Sequence, residues 1–194
     1  MVALPLFILV SFCVFVLYLI IKSILFRLKF NLNPLVFPRN RKMTEFAAWM
    51  GLVLVLFGYA AIVILNYRGI ENAPLYASWN NVYLNFAGVA LFIVGFVIMI
   101  FGHHQMGKFW RMGTDDDTEL IHSGLFGISR NPIYVAVLFQ AAGLTLLLKN
   151  VLALTLFFLL VVCLHLIIRT EEIFLHEQFG DAYRNYQKKV RRFW

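Results

Sequence analysis

Five apolar runs, at 3–21, 46–65, 82–101, 133–148 and 151–168, dominate the chain. Each is close to the roughly 20 residues needed to cross a bilayer as helix. Their apolarity is continuous, whereas a barrel strand would alternate apolar and polar positions, so the pattern predicts helices. Only Lys149 and Asn150 separate the fourth run from the fifth, which predicts a tight helical hairpin. Asn131 followed by Pro132 gives the fourth helix a side-chain cap and then a proline where no donor is needed. The expected fold is an all-α integral membrane protein of five transmembrane helices, ending in a cytoplasmic C-terminal helical segment. Three N-terminal helices occupy 1–101, and 102–194 holds a polar loop, the hairpin and the C-terminal segment.

Composition excludes the soluble alternatives. Of 194 residues 61% are hydrophobic and 14% charged, with a mean hydropathy of +0.78. A soluble globule of this size cannot hide so much apolar surface, and a disordered chain or disulfide-stapled module would be far more polar. Cys13 and Cys163 both fall inside apolar runs and read as small buried hydrophobes, not as a disulfide or metal pair. No Lys or Arg precedes the first run, which is also long for a signal peptide, so it reads as a span.

Charge then orients the chain. Lys22, Arg27, Lys29, Arg39, Arg41 and Lys42 fall in the first connection, and Lys108, Arg111 and Arg130 in the third. Arg169, Arg184, Lys188, Lys189, Arg191 and Arg192 lie in the tail, leaving only Arg68 and Lys149 on the other side. By the positive-inside rule the C-terminus is cytoplasmic and the N-terminus external. The net charge of +7 therefore marks topology and contact with membrane lipids, and nucleic acid is excluded as a partner. Gly51 and Gly58, like Gly88 and Gly95, recur at seven-residue spacing. The expectation is that the second and third helices pack on one another through them, with a dimer face as the alternative.

No GxGxxG or phosphate-loop pattern is present, and no polar segment is long enough for a nucleotide-binding sheet domain. A cofactor would bind between helix ends and loops at the membrane face. Two segments carry the chemistry: LIHSGLFGISRNPIY (120–134) and RTEEIFLHEQFGDAYRNY (169–186). On a helix, His165, Arg169, Glu172 and His176 share one narrow stripe, and Arg169 can pair with Glu172 at i,i+3. Such a stripe is equally what a helix leaving lipid shows, with Arg169 snorkelling. His165 would be hydrogen-bonded to a neighbouring helix or part of a cavity. Asp115–Asp117 read as a solvated acidic run, His103 and His104 as interfacial, and Gln140 as an interhelical hydrogen-bonding group.

At these two segments the chain resembles the isoprenylcysteine carboxyl methyltransferase family, and its five-span layout is similar to that of the short prokaryotic members. The first motif stands here as Leu120, Ile121, Gly124, Phe126, Arg130, Asn131, Pro132 and Tyr134. The second stands as Glu171, Glu172, Leu175, Phe179, Gly180, Tyr183 and Tyr186. The family's usual His is Asn131 here, and its usual Tyr is Phe126.

The resemblance implies an S-adenosyl-L-methionine-dependent methyltransferase, with 102–194 as its catalytic region and no metal. Leu120, Ile121, Phe126, Pro132 and Tyr134 would enclose adenosine and sulfonium. Gly124, Asn131 and Glu171 complete the cofactor set, and Arg130 or His122 would meet the cofactor carboxylate or cap helix ends. For an isoprenylcysteine-like acceptor, a prenylated small molecule or lipidated protein, the planar fork of Arg169 would grip the α-carboxylate while Glu172 orients it. If the acceptor is a phospholipid amine, a base is needed and Glu172 becomes the proton acceptor. A sterol-reductase-like activity would have to hold a dinucleotide's phosphates with only Arg130, Lys108 and Arg111.

Overall fold

The computed structural model describes residues 3–32, 43–68, 81–110 and 119–193, with backbone alone for 3 and 43–45. The acidic run at 115–117 and Arg111 lie outside the described residues. Among the described residues five α-helices follow in order: α1 (Ala3–Phe30), α2 (Met43–Tyr67), α3 (Val82–Met106), α4 (Pro132–Leu148) and α5 (Val151–Lys189). Short 3₁₀ turns lie at Gly107–Phe109 and Gly124–Gly127, and no strand is present among the described residues. Four of the helices are long and apolar enough to cross a membrane, whereas α4 is a shorter apolar helix of 17 residues. At 1.5 Å per residue α4 reaches about 25 Å, a little short of a bilayer core. By the same rise the part of α5 before Gly180, residues 151–179, extends for about 43 Å. Its continuous apolar run ends at Ile168, and from Arg169 onward the helix is rich in charged and polar residues.

Local signals set several of these boundaries. Asn81 caps α3 by accepting from Tyr83 N at 2.8 Å, and Asn150 caps α5 by accepting from Leu152 N at 2.8 Å. Lys149, at φ 53°, takes the left-handed conformation that ends α4 and lets α5 begin two residues later. Pro132 does open α4, but Asn131 makes no cap hydrogen bond. Its amide donates to Arg192 O at 3.0 Å instead, because the returning tail offers an acceptor that the helix end does not. In α1 the helix runs on to Phe30, so Lys22, Arg27 and Lys29 sit on its last turns and not in a connection.

Helix packing corrects the expected role of the glycines. Gly88 and Gly95 face α4, where a Cβ at Gly88 would stand 3.0 Å from Gly143 O and one at Gly95 2.7 Å from Ala136 O. Gly51 and Gly58 face α5, against Cys163 and Leu156. Each N-terminal helix thus packs through its small residues on one arm of the hairpin. The rule that small residues mark close approach holds, but one helix's spacing does not name its neighbour. The main core lies between α2, α4 and α5, with Tyr59, Val63, Leu147, Leu148, Leu164 and Ile167 buried in it. The cysteines stay outside: Cys13 is exposed and Cys163 half-buried. His165 lies on the exposed face of α5, in neither of its expected roles. Gln140 does reach across to α3, with Nε2 3.8 Å from Met99 Sδ.

Candidate active site

Past the membrane-spanning part, α5 changes direction at Gly180, whose φ of 51° is open to glycine and costly for other residues. The last helical turns and the tail then fold back beside the loop that precedes α4. Ser129 and Arg191 form an isolated parallel bridge, and Arg130 N donates to Arg191 O at 3.0 Å. Ser129 Oγ donates to Arg192 O at 3.3 Å, and Tyr186 Oη to Phe126 O at 2.6 Å. Loop and tail are one hydrogen-bonded unit.

Glu172 lies at its centre, with a side chain 9% exposed. It accepts from Arg130 Nε at 3.1 Å and Nη2 at 2.7 Å, and on its other oxygen from Arg192 Nη2. The remaining Arg130 nitrogen donates to the carbonyls of Val190, at 2.7 Å, and Gln187. Burial by itself would raise the Glu172 carboxyl. The hydrogen bonds from Arg192 and then Arg130 outweigh burial and hold it below the usual carboxylate range. Burial pushes the Tyr183 and Tyr186 phenols up to about 12, so both remain protonated donors at neutral pH.

Beside this unit opens a cavity of about 290 Å³, near the lower end of ligand sites at roughly 300–1,000 Å³. One part lies among the spanning helices and is lined by Phe15, Leu19, Trp49, Leu52, Met99 and Leu164. The other is lined by the loop, tail and α5, through Leu120, Ile121, Phe126, Tyr134, Glu171 and Tyr183. Glu119 and Arg130 also line it, and Tyr134 Oη donates to Glu171 Oε1 at 2.5 Å. Residues from both 1–101 and 102–194 therefore wall the cavity.

Residues 83–182, just over half of the 194, match the family model described as phospholipid methyltransferase. The chain belongs to that family. That family agrees with the methyltransferase resemblance carried by the two motifs. Among solved structures it is similar to the eukaryotic intramembrane Ras methyltransferase ICMT (isoprenylcysteine carboxyl methyltransferase), with 18% identity and a TM-score of 0.49. That match covers 76% of this chain and 49% of the other, so the chain spans about half the length of that structure. No curated protein matches.

Residues of both motifs line one cavity, with side-chain partners other than the one the helical spacing suggested. Leu120, Ile121, Phe126, Arg130, Asn131, Pro132, Tyr134 and Glu171 all line the cavity. His122 and Gly124 do not: His122 is exposed with Nδ1 3.1 Å from Leu120 O, and Gly124 is exposed beside Gln105. The expected Arg169–Glu172 pair is absent. Arg130 and Arg192 approach the carboxylate from other elements, and Arg169 stays exposed at a separate, shallower pocket it shares with Glu172 and His176. With both oxygens engaged by guanidinium groups, Glu172 is a poor proton acceptor, which corrects its expected role toward an amine. His176 accepts from Arg184 Nε at 3.0 Å.

Sequence reasoning missed Arg192 and His103. Arg192 belonged to a run of tail charges with nothing to single it out. His103 closed an apolar run, and being expected at the interface it was set aside. It is in fact 2% exposed and lines the cavity. A pair of ionisable residues at the end of a span, His103 and His104, was the available signal.

Proposed function

We propose that this methyltransferase uses S-adenosyl-L-methionine to methylate the polar head of a lipid that enters from the bilayer. The observation that carries this is the single cavity with an apolar part among spanning helices and a polar, aromatic part under the loop and tail. A lipid tail suits the first part and a nucleoside cofactor the second. The donor set fits that cofactor: Glu119 and Glu171 offer acceptors to hydroxyl or amino groups, and the aromatic faces of Phe126, Tyr134 and Tyr183 suit a sulfonium. When bound, the cofactor supplies an electrophilic methyl group.

The protein's own part is positioning and exclusion of water. The Glu172 clasp holds the loop against the tail, and Tyr186 fixes the backbone at Phe126. Arg130, with each guanidinium nitrogen already donating to Glu172 or to a carbonyl, shapes the wall without offering a free fork to an acidic ligand. Glu119 and Glu171 make the polar part acidic. That lining favours an amine head over a carboxylate, so a phospholipid amine is the better-supported acceptor. The isoprenylcysteine-type carboxylate is the second reading, and the observation favouring it is Arg169 exposed beside Glu172 at the neighbouring pocket.

Calorimetry with S-adenosylhomocysteine on the detergent-purified protein tests the cofactor. One site per chain, unaffected by EDTA, is the expected result; absence of binding at millimolar ligand defeats the reading.

Orientation follows from the basic residues: the loop and tail face the cytoplasm and the N-terminus lies outside. Tyr83, 78% exposed at the start of α3, and Glu177 on α5 lie at opposite ends of the spans. Cysteine introduced at Glu177 is expected to react with an impermeant maleimide only from the cytoplasmic side, and cysteine at Tyr83 only from outside. The opposite pattern reverses the topology.

A further inference from the structure

The geometry points to a cavity one leaflet deep, in which Leu56 at the far end sets the longest lipid chain that the enzyme accepts. The inference rests on the lipid reading above. The depth follows from how α2 and α5 pair. A Cβ at Gly51 would meet Cys163 and one at Gly58 would meet Leu156, 2.8 Å away in both cases. The paired positions are seven residues apart on each helix and in opposite order, so the helices run antiparallel in a fixed register. That register sets Leu56, which lines the cavity, level with Phe158. Phe158 is ten residues short of Ile168, where the apolar run of α5 ends, and ten residues of helix rise about 15 Å. This is half of the roughly 30 Å hydrocarbon core.

Beyond that level the helices close. Ile8, Tyr59, Phe92, Leu144 and Leu160, one from each of the five helices, are buried in a single cluster. None of them lines the cavity. On α2 the lining residues Trp49, Leu52 and Leu56 follow one another along a face whose next buried member is Tyr59. Tyr59 ties the closed end together: its Oη lies 2.8 Å from Thr145 Oγ1 on α4 and donates to Ala153 O on α5 at 3.1 Å. The cavity therefore opens under the polar part and ends on a packed floor.

A chain lying in it, with its head at the polar part, gains contact with each added methylene until it meets that floor. Burying one CH₂ is worth about fourfold in affinity. Past the floor, a further methylene must leave the cavity or press on a core that is already close-packed. Leu52 and Leu56 are successive marks on this scale, about 6 Å apart along the axis. Loose packing between spanning helices, with no chain-binding role, carries no such scale.

The test measures kcat/KM for lysophosphatidylethanolamines with chains from octanoyl to behenoyl, whose single chain reads the depth directly. N-acetyl-S-alkylcysteines of the same lengths supply the carboxylate head in parallel. Each variant is compared with wild type at every length, so partition into detergent micelles cancels. The efficiency of Leu56→Trp relative to wild type is expected to fall as the chain lengthens, by about fourfold for each methylene the indole displaces. Leu52→Trp is expected to begin losing at a shorter chain than Leu56→Trp. Leu56→Ala, which lowers the floor, is expected to gain relative to wild type on chains longer than palmitoyl. Melting temperature and S-adenosylhomocysteine binding report whether each variant is folded; if the tryptophan variants are not, Leu56→Ala decides. Ratios to wild type that stay flat along the series overturn the chain limit alone. Whichever head is methylated, its own series decides that limit, so transfer only to the cysteines overturns the amine head and not the depth. Transfer to neither series overturns the lipid reading and the chain limit together.

Discussion

Glu172→Ala is expected to lose methyl transfer and to lower stability by about 3–5 kcal/mol, the cost of breaking a buried ion pair by removing one partner. The reason is the number of groups that converge on this carboxylate. Arg130 donates through two nitrogens and Arg192 through its own fork. Arg130 has a side chain only 11% exposed, so without Glu172 its charge is stranded against a few carbonyls. The loop at 129–131 and the tail at 190–192 are then held only by the backbone bonds between them. The measurements are melting temperature in detergent and binding of S-adenosylhomocysteine. A variant that keeps both leaves the clasp without its assigned role.

The same clasp has a pH signature. The folded-state pKa of Glu172 is held below its ordinary value. Its stabilisation is therefore fully present above the ordinary carboxylate range and is lost as pH falls through the lowered folded value. Glu172→Gln should abolish that acid-side loss while lowering stability at neutral pH.

Gly143→Ala is expected to destabilise the α3–α4 pair by about 1–3 kcal/mol, as overpacking does in a tight interior. The added Cβ would stand 2.5 Å from Gly88 O and 2.8 Å from Phe92 N. Both are backbone atoms, so no side chain can swing aside and the two helices must separate. Gly51→Ala is the informative comparison. Its Cβ would meet only the Cys163 sulfur, at 2.8 Å, and that thiol can rotate, so the loss should be clearly smaller. Equal melting temperatures for the two variants would mean that α3 and α4 do not approach as closely as the geometry shows. Because α3 carries His103 and α4 carries Tyr134, separation of these helices should also weaken lipid and cofactor binding.

Several features were legible along the chain because they are local. Continuous apolar runs specify spanning helices wherever backbone groups must be satisfied within one segment. The Lys149–Asn150 break specifies a hairpin, because two residues leave room for nothing else. Pro132 opens α4 as its missing N–H dictates. The order and spacing of 120–134 and 169–186 carry the family resemblance, and it was the resemblance that grouped Leu120, Phe126, Tyr134 and Glu171, which line one cavity.

What remained illegible concerns partners distant in sequence. A helical wheel places Arg169 and Glu172 on one stripe, but it cannot show that Arg130, 42 residues away, and Arg192, 20 away, reach the same carboxylate. That depends on the turn at Gly180 and on where the returning tail comes to rest. Seven-residue glycine spacing reveals a close-packing face without naming the helix that fills it. His103 reads identically as an interfacial residue or a cavity wall until Tyr18, 85 residues earlier, stacks on it. Sequence determines each helix and its faces, because those follow from backbone satisfaction and local periodicity. Which faces meet, and hence which side chains share a charge or a cavity, is decided by the tertiary structure, because it depends on how all five helices pack together.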